Sequence, residues 1–161
     1  MANLNNIFNP LFLKNRELKI ALELLFFAIK DFDRNISFLL KKFGYNKTHF
    51  AVIFLASNNY YLTIKDLLII LDIKKQSLSK IINKLKSDEI ITLKKSKKDK
   101  RNKNIYLTKK GLKIEKKITS NQINNIANAY KNAGKDSING FKKILLNLLS
   151  ETSKTILRNK I

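Results

Sequence analysis

The residues best suited to chemistry in this chain are hydrogen-bond donors for an anionic surface. Lys75, Gln76, Ser77, Ser79, Lys80, Asn83 and Lys84 share one side of a helical stretch, and no acid interrupts them. Lysine bonds phosphate oxygens, while Gln, Asn and Ser side chains also reach base edges. A little further on lies KKSKKDKRNK, in which Lys94, Lys95, Lys97, Lys98 and Arg101 surround a single acid, Asp99. A buried loop could not carry that charge, whereas a hairpin tip in solvent or in a DNA groove could. Catalysis, by contrast, lacks its parts. One His, no Cys, no Gly-rich phosphate loop and no paired carboxylate motif leave no nucleophile, base or metal-ligand set to assemble. The expectation is a binding protein without cofactor or metal, not an enzyme.

The elements around these residues are arranged to present them. Thr63 is a good N-cap, with Asp66 completing a capping box and Leu62 and Leu67 placed as a hydrophobic staple. Leu67, Leu68 and Leu71 give that short helix its buried face. A turn through Leu71-Asp72-Ile73-Lys74 offers Ile73 to plug the gap before a second helix, about Lys75 to Ser87. There Leu78, Ile81, Ile82 and Leu85 form a core stripe opposite the donor face. After Asp88-Glu89, the runs Ile90 to Leu93 and Asn104 to Leu107 read as paired strands, with the basic run at their tip and Tyr60-Tyr61-Leu62 as a third strand. Thr108 caps the following helix, with Leu107 and Leu112 as its staple. This is a helix-turn-helix with a wing, which holds one helix in a DNA major groove.

The combination resembles the MarR family of bacterial winged-helix regulators. The resemblance is carried by the turn hydrophobe, SLSKIINKL, the strand after it, Asp99 and Arg101 in the wing, and the closing YLTKKG, over roughly residues 62–111. The segments NPLFL, ELLFFAIKDF and KKQSLSKII also resemble an alphaproteobacterial PetP-like branch. The resemblance implies that Gln76, Ser77 and Lys80 read bases, that Arg101 reaches the minor groove or backbone, and that Asp99 braces the wing. It also implies a two-fold dimer built on the terminal helices, and an effector cleft between those helices and the reading head. Phe26, Phe27, His49, Phe50 and Tyr60 are the candidates to line that cleft, although His49 also suits a capping or packing role. The chain departs from the family pattern at Lys74, where a serine or threonine N-cap is usual.

Composition agrees with a one-domain, mainly helical protein. The chain has 161 residues with 44% hydrophobic content, one Pro and 4 Gly, too little punctuation for a turn-rich all-β fold. The absence of Cys excludes disulfides and suits a reducing cytoplasm, and neither a secretory signal nor a membrane span is expected. The net charge of +21 partly reflects a Lys-, Asn- and Ile-rich composition of AT-rich type. Its distribution is more telling. Residues 74–110 hold 14 of the 33 Lys and Arg but only 3 of the 12 acids, leaving 19 and 9 for the rest of the chain. Such focusing marks a polyanion-binding face.

In chain order, Asn15 to Phe43 forms one helical pattern whose seam, Leu18, Leu22, Leu25, Ile29, Phe32, Ile36, Leu39 and Phe43, is broader than a small domain can cover. Gly44 ends it, and Asn46 or Thr48 caps a buried helix of about His49 to Ser57. A lysine-rich helix from Leu112 to Asn132 should turn Leu112, Ile118 or Thr119, Ile123, Ile126 and Tyr130 inward, and Gly134 should stop it. Asp136 or Ser137 should start a last helix with Ile138, Phe141, Leu145, Leu148 and Ile156 on one side. The expected organisation is a winged helix-turn-helix at 46–111 and a discontinuous helical dimerisation region at 1–45 and 112–161. The expected function is a cytoplasmic, homodimeric regulator binding a pseudo-palindromic site on double-stranded DNA, with a small-molecule effector as a further partner. The alternatives are a nucleoid- or RNA-binding protein with little sequence preference, and a dimerisation module whose wing binds acidic protein.

Overall fold

The computed structural model describes residues 13–58, 61–95 and 102–158. Among them run, in order, α1 (Asn15–Lys42), α2 (Lys47–Ser57), α3 (Ile64–Leu71), α4 (Lys75–Ser87), β1 (Ile91–Lys95), β2 (Lys103–Leu107), α5 (Lys109–Leu148) and α6 (Glu151–Arg158). The architecture is mainly α with a two-stranded antiparallel wing, as the sequence implied. No described helix is long and apolar enough to cross a membrane.

The core gathers around α2, which contacts α1, α3, α4, α5 and β2. Val52 and Ile53 of α2 are fully buried among Leu40, Leu62, Leu67, Leu78, Leu85, Ile90, Ile105 and Ile118. Removing this set from water supplies most of the favourable folding free energy of the winged region. The expected start of α2 holds: the Asn46 side chain accepts from the backbone N–H of Thr48 and His49, both at 3.1 Å. Nδ1 of His49 returns to Asn46, 3.3 Å from its backbone nitrogen and 2.7 Å from Oδ1. His49 is thus a capping residue, one of the two roles its sequence position suggested.

The terminal helices behave differently. Of the long seam on α1, only Ile36 is buried, joined by Leu40 beside the seam, while Leu22 is 68% and Ile29 61% exposed. On α5 the inward residues are Ile118, Thr119 and Gln122, whereas Ile123, Ile126 and Leu112, read from the sequence as facing inward, are exposed. The 3.6-residue period located an apolar face correctly but could not say whether this chain itself covers it. Gly134 does interrupt the helical stretch, at φ 76°, ψ 166°, so that α5 consists of two helices meeting at a kink, as expected. A further, unexpected break falls at Leu149 and Ser150, where the Ser150 hydroxyl accepts from Ser153 N–H at 3.2 Å to open α6. The expected third wing strand is reduced to one bridge, Thr63 to Asn104, beside a hydrogen bond from Ile105 N–H to the Leu62 carbonyl at 2.8 Å.

Candidate nucleic-acid interface

α3 and α4 are fixed to each other and to the wing before any exposed side chain matters. Thr63 opens α3 with a complete capping box. Its hydroxyl accepts from Asp66 N–H at 3.1 Å, and the Asp66 carboxylate accepts from Thr63 N–H at 2.9 Å. α3 ends at Asp72 in the left-handed region, φ 46°, which turns the chain sharply toward α4. α4 buries Leu78, Ile81, Ile82 and Leu85, the four residues the periodicity assigned to the core. Its first turn carries no side-chain cap at Lys74, consistent with the departure noted there.

The opposite face of α4 leaves Lys75, Gln76, Ser77, Ser79, Lys80, Asn83 and Lys84 exposed. Lys84 differs from the others. Its ammonium pairs with Asp88 at 2.9 Å and lies 5.8 Å from the Tyr45 ring centre, so it reaches a phosphate only by giving up that pair. In the wing, β1 and β2 pair from Ile91 with Leu107 to Lys95 with Lys103. Ile91 and Ile105 point into the core, while Lys94 lies over the Tyr106 ring at 5.4 Å. Lys95 and Lys103 face each other at the tip end of the ladder, both exposed. Like charges directly opposite one another destabilise a strand pair, and a bound polyanion relieves that cost. Lys97, Lys98, Asp99 and Arg101 fall outside the described residues.

Tyr45 and Asp88 escaped the reading of donor faces, because neither lies on the periodic face of a helix. The Tyr45 hydroxyl donates to Asp88 Oδ2 at 2.9 Å across 43 residues of sequence, and His49 stacks on the Tyr45 ring at 5.3 Å. The only sequence signal for the pair was positional: Asp88 is the C-cap of α4, and Tyr45 lies three residues beyond the end of α1. Burial, and then the Asp88 hydrogen bond, push the Tyr45 phenol above its ordinary value. Hydrogen bonds from Lys84 and then Tyr45 hold the Asp88 carboxyl below its ordinary value. Burial, followed by repulsion from Lys84, lowers the His49 imidazole against an opposing pull from Asp88. At neutral pH the group is therefore a phenol, a carboxylate and a neutral imidazole.

The candidate effector residues do not form one cleft. Phe26 lines an open groove of about 460 Å³ with Ile29, Lys30, Asp33, Arg34, Ser37 and Lys47, bridged by the Asp33–Lys47 ion pair at 2.6 Å. Phe27 meets Phe26 edge-on at 5.4 Å but is itself largely exposed. Phe50 stacks on Phe54 at 5.6 Å, His49 is held by Asn46 and Tyr45, and Tyr60 lies outside the described residues. Among the described residues no cluster of His, Asp or Glu is disposed to hold a metal.

Comparison with known proteins agrees with this geometry. Residues 39–102, from the last turn of α1 to the residue before β2, match the MarR family model. The HTH-type transcriptional regulator PetP of Rhodobacter capsulatus is 29% identical over 135 residues, 84% of this chain and 81% of that protein. The transcription regulator MarR of Oenococcus oeni superposes with a TM-score of 0.59 at 25% identity, covering 78% of this chain and 96% of that one. A mutant of E. coli MarR complexed with operator DNA shares the fold, with a TM-score of 0.57 at 19% identity over 88% of this chain and 100% of that one. With residues 39–102 matched and its helical frame shared, the chain is similar to the MarR family of DNA-binding transcriptional regulators.

Proposed function

We propose that the protein is a homodimer that binds a pseudo-palindromic operator in the cytoplasm, with α4 in the major groove and the wing against the adjacent backbone. The observation that carries this reading is the α4 face, where Gln76, Ser77 and Lys80 stand exposed on a helix held to the core by four buried residues. In this reading Gln76, Ser77 and Lys80 read base edges. Lys75, Lys94, Lys95, Lys97, Lys98 and Arg101 bind phosphates, with Lys84 joining them when it leaves Asp88, and Asp99 braces the wing. Residues 46–111 form the reading unit, and residues 1–45 with 112–161 form the dimerisation unit. The exposed apolar rows on α1 and α5 support that division. The groove beside Phe26 and Lys47 is the place for an effector to bias the arrangement. Members of this family act by binding DNA, and no catalytic step enters the reading.

Selection of bound duplexes from a random pool tests it. At about 150 mM salt surface charge is screened over ~8 Å, so contacts of charge alone are weakened. The expected product is an inverted repeat with half-sites about 34 Å apart, one helical turn. Binding with no enriched sequence would instead make the protein a polyanion clamp of nucleoid or RNA type.

A further inference from the structure

Tyr45 and Asp88 are delivered to each other by the same backbone device used twice. α1 closes in a Schellman motif: Gly44 N–H bonds the Lys41 carbonyl at 3.1 Å and Tyr45 N–H the Leu40 carbonyl at 3.0 Å, with Gly44 at φ 69°. α4 closes the same way. Glu89 N–H bonds the Lys86 carbonyl at 3.0 Å and Ile90 N–H the Leu85 carbonyl at 2.8 Å, with Glu89 at φ 59°. Leu40, Tyr45, Leu85 and Ile90 are all buried, so neither closure can shift without disturbing the core. The two ends are then tied by the Tyr45 hydroxyl on Asp88 Oδ2 at 2.9 Å, the oxygen that also accepts from Lys84 at 2.9 Å. The other end of α4 has no such restraint, since Lys74 provides no side-chain cap.

We propose that Tyr45 and Asp88 are positioning residues for sequence reading, and that the hydrogen bond between them sets the angle of α4 and thereby aims Gln76, Ser77 and Lys80. This rests on the reading of α4 as the recognition helix. The apolar stripe keeps α4 on the core but resists a small tilt weakly, because a stripe of aliphatic contacts has no directional preference. The lever is long. Gln76 lies about 18 Å along the helix from Asp88 at 1.5 Å per residue, so a tilt of about 3° displaces it by about 1 Å. A displacement of that size spoils a hydrogen bond to a base edge, whose distance window is only about 0.5 Å. Lysine contacts to phosphate tolerate it, because a long flexible stem re-aims the point charge. Loss of the clamp should therefore cost selectivity while sparing attraction to DNA in general.

The experiment measures affinity for the duplex recovered from the random-pool selection and for a scrambled duplex of equal length, across a salt series. It uses the full chain carrying Tyr45→Phe, Asp88→Asn or both. Tyr45→Phe keeps the ring on His49 and removes only the hydroxyl, so it tests the bond even where Asp88→Asn folds poorly. Tyr45→Phe should lower the selected-to-scrambled ratio about five- to tenfold, within the net worth of one hydrogen bond, with the scrambled-duplex salt slope unchanged; Asp88→Asn should lower the ratio too but steepen that slope, because it also frees Lys84. The double variant should have a ratio no lower than that of Tyr45→Phe, because Asp88→Asn only weakens a bond that Tyr45→Phe already removes. A merely structural bond would lower the melting temperature and weaken both duplexes equally, so an unchanged ratio in Tyr45→Phe overturns the proposal. A parent protein that shows no ratio overturns the recognition reading first, and the proposal with it.

Discussion

At the scale of single residues, the exposed face of α4 separates two kinds of contact that a list of basic residues blurs. Lys75 and Lys80 supply charge, but a lysine gives one mobile donor group and little discrimination among bases. Gln76 presents an amide with both a donor and an acceptor, the arrangement that pairs with the adenine edge in the major groove. It stands one residue into α4 and exposed, where a recognition helix contacts base edges. Gln76→Ala should therefore cost about 1–3 kcal/mol on the preferred site and relax selectivity at one base step, leaving scrambled DNA bound as before. Competition binding against a panel of single-base variants checks this. Equal weakening on every duplex would assign Gln76 to the backbone instead.

At the scale of elements, the joint between wing and α5 depends on the absence of one side chain. Gly111, in the first turn of α5, packs so closely on the residue before β1 that a Cβ there would fall inside the contact radius of the Ile90 carbonyl oxygen. That same carbonyl accepts Thr108 N–H at 3.0 Å, so it cannot simply move away. Gly111→Ala should destabilise the fold by about 1–3 kcal/mol through overpacking. Gly140→Ala, in a helical position with open space around it, should instead stabilise by roughly 0.5–1 kcal/mol. Urea unfolding of the two variants gives the comparison, and equal shifts would mean that α5 is not seated on Ile90 as described. Elements of this kind were largely legible in the sequence, because the signals at Asn46, Thr63, Thr108 and the α4 stripe act within a few residues of one another. The Tyr45–Asp88 bond was not legible: it spans 43 residues and depends on two helix closures meeting in space. The break at Gly134 was legible, since only a glycine takes φ 76°, ψ 166° without strain, whereas the second break, capped by Ser150, was not.

At the scale of the whole molecule, the exposed apolar rows are the largest unbalanced feature. Leu22, Phe26, Phe27 and Ile29 on α1, with Ile144 and Leu148 on α5, are each more than half exposed in the single chain. Exposed apolar rows of this extent are seldom left to water on a monomer. The second copy proposed above would cover them by symmetry, since an isologous pairing buries the same rows from both partners. The net charge of +21 opposes any pairing that would bring the two reading heads face to face, and favours one through the terminal helices. Leu22→Asp places a charge in the middle of the α1 row at a position that the single chain leaves in solvent. The variant should retain its helical circular dichroism, sediment as a monomer, and bind the selected inverted repeat about 10²- to 10⁴-fold more weakly, the loss expected when two half-sites are no longer linked. Its affinity for an isolated half-site should stay near that of the parent, because α4 and the wing are untouched. A variant that still sediments as a dimer with full affinity would move the interface off α1.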